Sequence, residues 1–265
     1  MATEDASPVQ VDVQITPGTD GPKITMRCSD RTAVVPLSQL LSALRSLTNA
    51  VVDAALERER SAGREISCQA GCGACCRQLV PLSITEARQL PKLIEGLSDA
   101  HRGRVQARFN DAISRLRASS LWDRLEKYAT LSRDERVALG MEYFRLGIAC
   151  PFLEDESCSI HPVRPLICRQ YLVTSPADHC TDPSADAITR VPLSANVLGA
   201  LIHIEAQEAD PPQSAPLVLA PILKLGEGES KKPAPDWMGR LLAEIKKLRD
   251  EQIAAGKQGS APDAD

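Results

Sequence analysis

The chain of 265 residues has 43% hydrophobic residues, 25% charged residues and a formal net charge of −4. This composition is that of a globular protein. It has no basic surplus of the kind that binds nucleic acid or anionic lipid, so we expect no nucleic-acid partner and no membrane partner, while protein partners stay open. Because only 3% of the residues are aromatic, the interior must be built mostly from Leu, Ile, Val and Ala, which favours helices.

The N-terminal sequence MATEDASPVQVDVQ has neither the basic start nor the apolar core of a signal peptide. No later stretch approaches the length of a membrane-spanning helix. These features predict a cytoplasmic protein. In that compartment clustered cysteines are metal ligands or redox groups more often than structural disulfides.

The first predicted elements are a hairpin and a helix. Residues 9–29 alternate apolar and polar side chains around a Pro/Gly/Asp turn, which predicts a β-hairpin. Cys28 falls in its second strand, where we interpret it as a small half-buried apolar residue and not as part of a site. Residues 36–60 repeat apolar side chains at three and four positions, which predicts an amphipathic helix that starts near Pro36.

Helices are also predicted for the middle of the chain. Ser83 and Glu86 have capping-box spacing at the start of a helix that Pro91 is expected to interrupt or kink. Two more helices follow near residues 98–120 and 132–147. The apolar side chains that keep helical spacing in these two are Val105, Phe109, Ile113 and Leu116, and then Val137, Met141 and Phe144.

The C-terminal part is predicted to contain a helix near residues 192–209, a Pro-rich connection, a helix at 237–254 and a disordered tail. We expect four segments: a hairpin and helix (1–62), a cysteine-rich metal-chelating domain (63–185), a helical extension (186–254) and the tail (255–265). The expected fold class is mainly α, with an irregular, metal-stapled cysteine core between helices and a small N-terminal β-hairpin.

Eight of the nine cysteines form two groups. The first is the stretch CQAGCGACCR, and the second is CPFLEDESCSIHPVRPLICRQY with one further cysteine after it. In the second group prolines forbid a continuous helix and LEDES predicts a turn between two short extended pieces, with a short helix possible at RPLICRQY. The candidate metal ligands are Cys68, Cys72, Cys75, Cys76, Cys150, Cys158, Cys168 and Cys180.

Soft thiolates suit zinc, cuprous copper and iron–sulfur clusters, and eight is twice the four thiolates of a closed zinc site or a [4Fe-4S] cluster. Two sites would use all eight thiols, and a single cluster with spare or reactive thiols also fits. Adjacent side chains usually diverge, so Cys75 and Cys76 are expected to serve different sites.

The two cysteine stretches together with Cys180 resemble a family of cysteine-cluster proteins described as a zinc- or iron-chelating domain, which includes YkgJ-like proteins and flagellin lysine N-methylase. The resemblance covers residues 68–180. It implies chelation of zinc or iron by the eight clustered cysteines, with Cys180 the least firmly matched. The methylase activity of one relative does not transfer, because the chain outside this region has no match to it.

Other side chains near the cysteines are weaker candidates. His161 and His179 are possible nitrogen ligands, although each is more often a surface residue. Arg164 and Arg169 are expected either to donate hydrogen bonds to thiolate sulfur and offset its charge, or to form surface ion pairs. Asp155 and Glu156 are assigned to the turn only.

Two classes of function remain open. One is a metal-binding protein that chelates zinc or iron, in which closed four-thiolate sites leave no position for a substrate. The other is an iron–sulfur-dependent redox or group-transfer enzyme, such as a protein lysine N-methylase. The CxxxCxxC spacing of Cys68, Cys72 and Cys75 also occurs in radical S-adenosylmethionine enzymes, but helices, and not a βα barrel, are predicted after it.

Overall fold

The computed structural model describes residues 10–16, 23–182, 187–208, 214–225 and 228–254. These residues are mainly helical. The helices are α1 (Leu41–Ser61), α2 (Ile84–Glu95), α3 (Asp99–Arg117), α4 (Trp122–Glu126), α5 (Arg133–Arg145), α6 (Leu166–Gln170), α7 (Val197–Ala206) and α8 (Ala234–Ala254). The strands are β1 (Val11–Thr16), β2 (Lys23–Cys28), β3 (Val34–Pro36), β4 (Pro81–Ser83), β5 (Leu153–Glu154), β6 (Ser157–Cys158), β7 (Ser214–Pro216) and β8 (Lys231–Pro233).

The predicted N-terminal hairpin is confirmed. β1 and β2 pair antiparallel, with Val11 opposite Cys28, and the hairpin packs on α1. The turn residues of the prediction lie outside the described residues. The predicted first helix is also confirmed, although a 3₁₀ turn at Leu37–Leu40 precedes the α-helix that begins at Leu41.

The first hydrophobic core joins the two ends of the chain. The buried face of α1 packs with α6, α7 and α8, and Cys28 lies half-buried at its edge. Trp237 at the start of α8 is fully buried, and its indole Nε1 donates to the carbonyl of Val35 at 3.0 Å. A buried indole of this kind contributes much apolar area while its one polar group stays satisfied.

The second core lies under α2. Ser83 and Glu86 form the predicted capping box, in which the Ser83 hydroxyl accepts from the Glu86 N–H at 3.1 Å. α2 does not stop at Pro91 but runs through it to Glu95, so of the two predicted effects of Pro91, an interruption or a kink, the interruption is absent. The apolar face of α2 packs on α3, where Phe109 meets Phe152 edge to face with ring centroids 5.6 Å apart.

The third core is built by α3, α4 and α5. The predicted apolar face of α3 is confirmed, since Val105, Phe109, Ile113 and Leu116 are all buried. The face predicted for α5 is wrong: Leu139 and Tyr143 are its buried residues, whereas Val137 is 59% exposed. Both sets keep helical spacing, and contact with α4 and Leu219 selects the second.

The four sheets of the described residues are two-stranded and antiparallel. β3 pairs with β8 and β4 pairs with β7, so these short pairings hold together segments far apart in the chain. A βα barrel is therefore not formed by the described part of the chain. In this part no helix has both the length and the apolar character to cross a bilayer. The predicted tail lies outside the described residues, and the division into four segments stays a prediction.

Candidate metal centre

The first cysteine stretch is folded by its own backbone. The N–H of Cys72 donates to the carbonyl of Gln69 at 3.1 Å, and Gly71 has φ +87°, a conformation that side chains with a Cβ rarely adopt. The chain then forms a 3₁₀ turn at Ala74–Arg77, closed by the Cys76 N–H on the Gly73 carbonyl at 3.0 Å. This compact path lets all four cysteines of the stretch approach one region.

Adjacent Cys75 and Cys76 do not diverge as expected, because their thiols form a hydrogen bond with each other. The tight 3₁₀ turn that contains both residues brings the two side chains together. The inference that these residues serve different sites loses this geometric support.

The second cysteine stretch is held directly against the first. The backbone N–H of Cys150 donates to the carbonyl of Cys76 at 2.7 Å. The predicted turn at LEDES is confirmed, with β5 and β6 pairing Leu153 opposite Cys158. Asp155 and Glu156 at its tip have positive φ of 48° and 56°. The two cysteine stretches, more than 70 residues apart in the sequence, therefore meet through a backbone hydrogen bond.

Three residues that were not predicted from the sequence hold this junction together by hydrogen bonds. Arg77 donates to both carboxylate oxygens of Glu156 at 2.9 and 2.7 Å and to the Gly73 carbonyl at 2.8 Å. The turn lies so close to Gly73 that an added Cβ would stand 2.5 Å from Glu156 Oε2. Glu156 therefore does more than form the turn, because its carboxylate also joins the second cysteine stretch to the first. The only sequence signal was the position of Arg77 directly after the paired cysteines.

The last two ligand candidates reach the same region from other elements. Cys168 lies on α6, which confirms the helix predicted at RPLICRQY. Cys180 is buried in a 3₁₀ turn at Ala177–Thr181 that packs against the turn carrying Cys75 and Cys76. Cys68 is anchored nearby, since the N–H of its neighbour Ser67 donates to the Val173 carbonyl at 3.0 Å.

The strongest electrostatic contacts sort these thiols into two groups that share Cys75. Cys68, Cys72 and Cys180 influence one another, and so do Cys150, Cys158 and Cys168. Cys75 acts on members of both groups, and it contacts Cys76 as well. Its position in the first stretch, beside the 3₁₀ turn of Cys180 and near the hydrogen bond to Cys150, explains this central place.

Most of these thiols are protonated without a metal. Burial raises the pKa of Cys150 to about 12 and that of Cys168 well above its usual range. For Cys75 the hydrogen bond that its thiol donates to Cys76 is the largest cause of its raised pKa, followed by burial. A metal that binds here would have to displace these protons, because thiolate and not thiol is the ligand.

Backbone N–H groups already point at three of the sulfur atoms. The N–H of Phe152 donates to the Cys150 thiol and the N–H of Ile160 to the Cys158 thiol, in each case from two residues further along the chain. The Val173 N–H donates to the Cys68 thiol. Hydrogen bonds of this kind stabilise negative charge on metal-bound sulfur.

Arg164 and Arg169 bring positive charge close to the thiols. Arg169 does not donate a hydrogen bond to sulfur, which was one of the two roles expected for it. Its guanidinium donates to the carbonyls of Arg164 and Pro162 and to Asn49 Oδ1, at 2.6 to 3.1 Å. Burial raises the pKa of Cys158, and Arg164 and Arg169 lie near enough to oppose this rise. Both arginines lie beside the thiols, where their positive charge would offset that of thiolates.

Both histidines that were considered as ligands, His161 and His179, lie at the surface. The His161 ring is exposed, and the His179 ring is exposed with its Nδ1 2.7 Å from the Ala187 carbonyl. The Tyr171 phenol, not singled out from the sequence, lies beside the Cys180 thiol, whose pKa burial raises and this phenol lowers, and Gln78 and Arg190 lie next to the phenol. The immediate surroundings of the thiols are therefore arginine and tyrosine side chains.

The donor chemistry and the placement of the donors differ in how closely they match a metal site. Eight thiols at one junction, several of them with N–H donors, are the donor set of a thiophilic metal. In the described part of the chain, however, no three side chains of His, Cys, Asp or Glu stand together closely enough to hold a metal ion. The residues present fit such a metal by chemistry, and a metal-stapled core is not part of the fold as described.

Comparison with known proteins agrees with the donor chemistry. Residues 67–186 match the model of the CxxCxxCC family, whose description is “Putative zinc- or iron-chelating domain”. No curated protein and no solved structure matches the chain. The matched segment contains both cysteine stretches, Cys180 and the Arg77–Glu156 ion pair. Through this segment, residues 67–186 of the chain are similar to the CxxCxxCC family of zinc- or iron-chelating domains.

Proposed function

We propose that the protein chelates zinc or iron in the cytoplasm through its eight clustered cysteines. The observation that carries this proposal is the central position of Cys75, which joins two groups of thiols from four separate parts of the chain. Eight clustered free thiols, seven of them only partly buried, are open to oxidation, and metal binding protects them from it.

The surrounding residues have defined tasks in this proposal. The N–H groups of Phe152, Ile160 and Val173 stabilise sulfur once it has lost its proton. Arg164 and Arg169 offset the negative charge of a thiolate-rich site. A bound zinc ion would supply a structural cross-link, and bound iron, alone or in a [4Fe-4S] cluster, would supply electron transfer.

Metal analysis of anaerobically purified protein tests the proposal. We expect zinc or iron in the wild-type protein, most of it lost in Cys75→Ser, and wild-type content in the matched control Cys28→Ser, since Cys28 lies at the edge of the first core. A sulfide assay on the same samples separates an iron–sulfur cluster from zinc or mononuclear iron. Folded wild-type protein that contains neither metal and has eight free thiols contradicts the proposal.

A second candidate is an iron–sulfur-dependent redox or group-transfer enzyme, for which the Tyr171 hydroxyl is the supporting observation. A phenol hydroxyl beside a clustered cysteine is a potential proton donor that a purely structural site does not need. This candidate requires both iron and sulfide in the purified protein. Stoichiometric zinc without sulfide favours the chelating protein instead.

A further inference from the structure

A cavity of about 430 Å³ opens between the N-terminal end of α1, the helix α2 and the loop that connects Cys158 to α6. This volume falls in the range of small-molecule binding sites. Its wall is mainly apolar, formed by side chains that include Leu82, Leu90, Leu93, Ile160 and Val163. None of the eight clustered cysteines lines the cavity.

The polar residues of the cavity come mainly from the start of α1 and the turn before it. Arg45 Nε and Gln39 Oε1 are both buried and have no hydrogen-bond partner among the described residues. Burying a donor and an acceptor without partners is costly, and two such atoms in the lining of one cavity are uncommon in folded proteins. A ligand that supplies an acceptor to Arg45 and a donor to Gln39 would satisfy both.

The charges in the cavity favour an acidic ligand. Arg45 keeps its positive charge at neutral pH, and Lys92 adds a second cation to the lining. Glu86, the acidic residue of the lining, accepts from the N–H groups of Leu166 and Ser83 and lies near enough to Arg45 to interact with its charge, but it does not bond to Arg45 Nε. Glu229, next to the lining, accepts from Gln89 and the Ser38 N–H. The unused hydrogen-bonding capacity therefore belongs mainly to the cation.

We propose that this cavity binds a small organic carboxylate with an apolar body and a hydrogen-bond donor next to the carboxylate, such as a 2-hydroxy acid. The carboxylate accepts from Arg45, the hydroxyl donates to Gln39 Oε1, and the apolar body covers Leu90, Leu93 and Val163. This site is independent of the proposed metal chelation.

Three ligands of the same chain length separate the contributions of the hydroxyl group, the carboxylate and the apolar body to binding: 2-hydroxyoctanoate, octanoate and 1-octanol. Titration calorimetry on the purified protein, with its metal content measured, should rank them in that order of affinity. A charge-assisted hydrogen bond makes octanoate bind roughly tenfold more tightly than 1-octanol. Equal binding of octanoate and 1-octanol, or no saturable binding of any of the three, overturns the proposal.

Variants assign the effect to the two named residues. Arg45→Gln should weaken octanoate roughly tenfold and leave 1-octanol unchanged, and Gln39→Leu should abolish the advantage of 2-hydroxyoctanoate over octanoate. The matched control is Arg60→Gln on the same helix, whose side chain is 73% exposed and pairs with Glu57. If Arg45→Gln does not fold, Ser42→Phe, which adds bulk at an exposed residue of the cavity, should weaken all three ligands. Wild-type affinities in a folded Arg45→Gln or Ser42→Phe protein overturn the proposal.

Discussion

At the scale of single residues, Gly73 decides how closely the two cysteine stretches can meet. Its φ of −97° suits any residue, so the requirement for glycine is one of space and not of backbone conformation. A Cβ here would stand 2.8 Å from Leu153 Cδ1 and 3.2 Å from the Glu156 Cα. The flexible Glu156 carboxylate can move away, but the backbone of the β5–β6 turn can do so only by leaving the first stretch.

We therefore expect Gly73→Ala to lower the free energy of unfolding by about 1 to 3 kcal/mol, the usual cost of inserting a methyl group into a packed site. The loss of the Arg77–Glu156 pair accompanies this change. Urea unfolding measures the change in the free energy of unfolding. The matched control is Gly103→Ala in α3, where a new Cβ meets nothing within 4 Å and helix propensity should make the protein slightly more stable. Equal effects of the two substitutions would contradict the argument.

At the scale of elements, the N-terminus of α2 contains a second acidic cap that comes from another helix. Glu205 of α7 accepts hydrogen bonds from the N–H groups of Ile84 and Thr85, both at 2.9 Å. Burial of the carboxyl group raises the pKa of Glu205 to about 7, against the effect of these hydrogen bonds. The capping contact thus couples the first core to the second, with a group that titrates near neutral pH.

This cap makes stability depend on pH. Because the folded pKa of Glu205 lies above its unfolded value, the folded protein holds the proton more tightly, and this contribution is complete at acidic pH and is lost as pH rises through about 7. We expect a loss of about 3 kcal/mol between pH 4.5 and pH 7.5. Urea unfolding of Glu205→Gln should lack this decrease, whereas the exposed control Glu57→Gln should keep it. A pH dependence unaltered by Glu205→Gln would sink this prediction.

Elements also show what sequence patterns can and cannot predict. The long helices α1 and α3 were predictable because one apolar face dominates each of them. In α5 two sets of apolar side chains share helical spacing, so only tertiary contacts decide that Leu139 and Tyr143 are buried while Val137 is exposed. Continuation of α2 through Pro91 depends in the same way on packing of its buried face, which outweighs the lost hydrogen bond.

At the scale of the whole molecule, the contacts between distant segments were the least predictable. The three-residue strands β3 and β8 lack the alternation that identifies a strand, although together they join Val34 to Pro233. The cysteines themselves were found from their spacing, but the sequence has no signal for Glu156 as the partner of Arg77 or for the central place of Cys75. These depend on how two stretches dock, which local patterns do not encode.

Removal of metal should therefore affect the molecule unevenly. The cysteine stretches are joined by few backbone hydrogen bonds, among them the Cys150 N–H to the Cys76 carbonyl, and the β5–β6 hairpin has only two residues in each strand. In contrast, α1 buries an extended apolar face in the first core. If metal links the stretches, its loss removes the main restraint on them while the core of α1 stays intact.

Hydrogen exchange before and after treatment with a chelator measures this difference. We expect exchange at the amides of Cys76, Cys150 and Ser67 to become at least roughly tenfold faster, because local opening of these loops no longer breaks metal–sulfur bonds. The amides of Leu47 and Val51 in α1 are the internal reference and should keep their protection. Global unfolding on chelation would accelerate both sets equally, and a cluster without a metal would leave both unchanged. Either result contradicts a metal that acts locally between the two cysteine stretches.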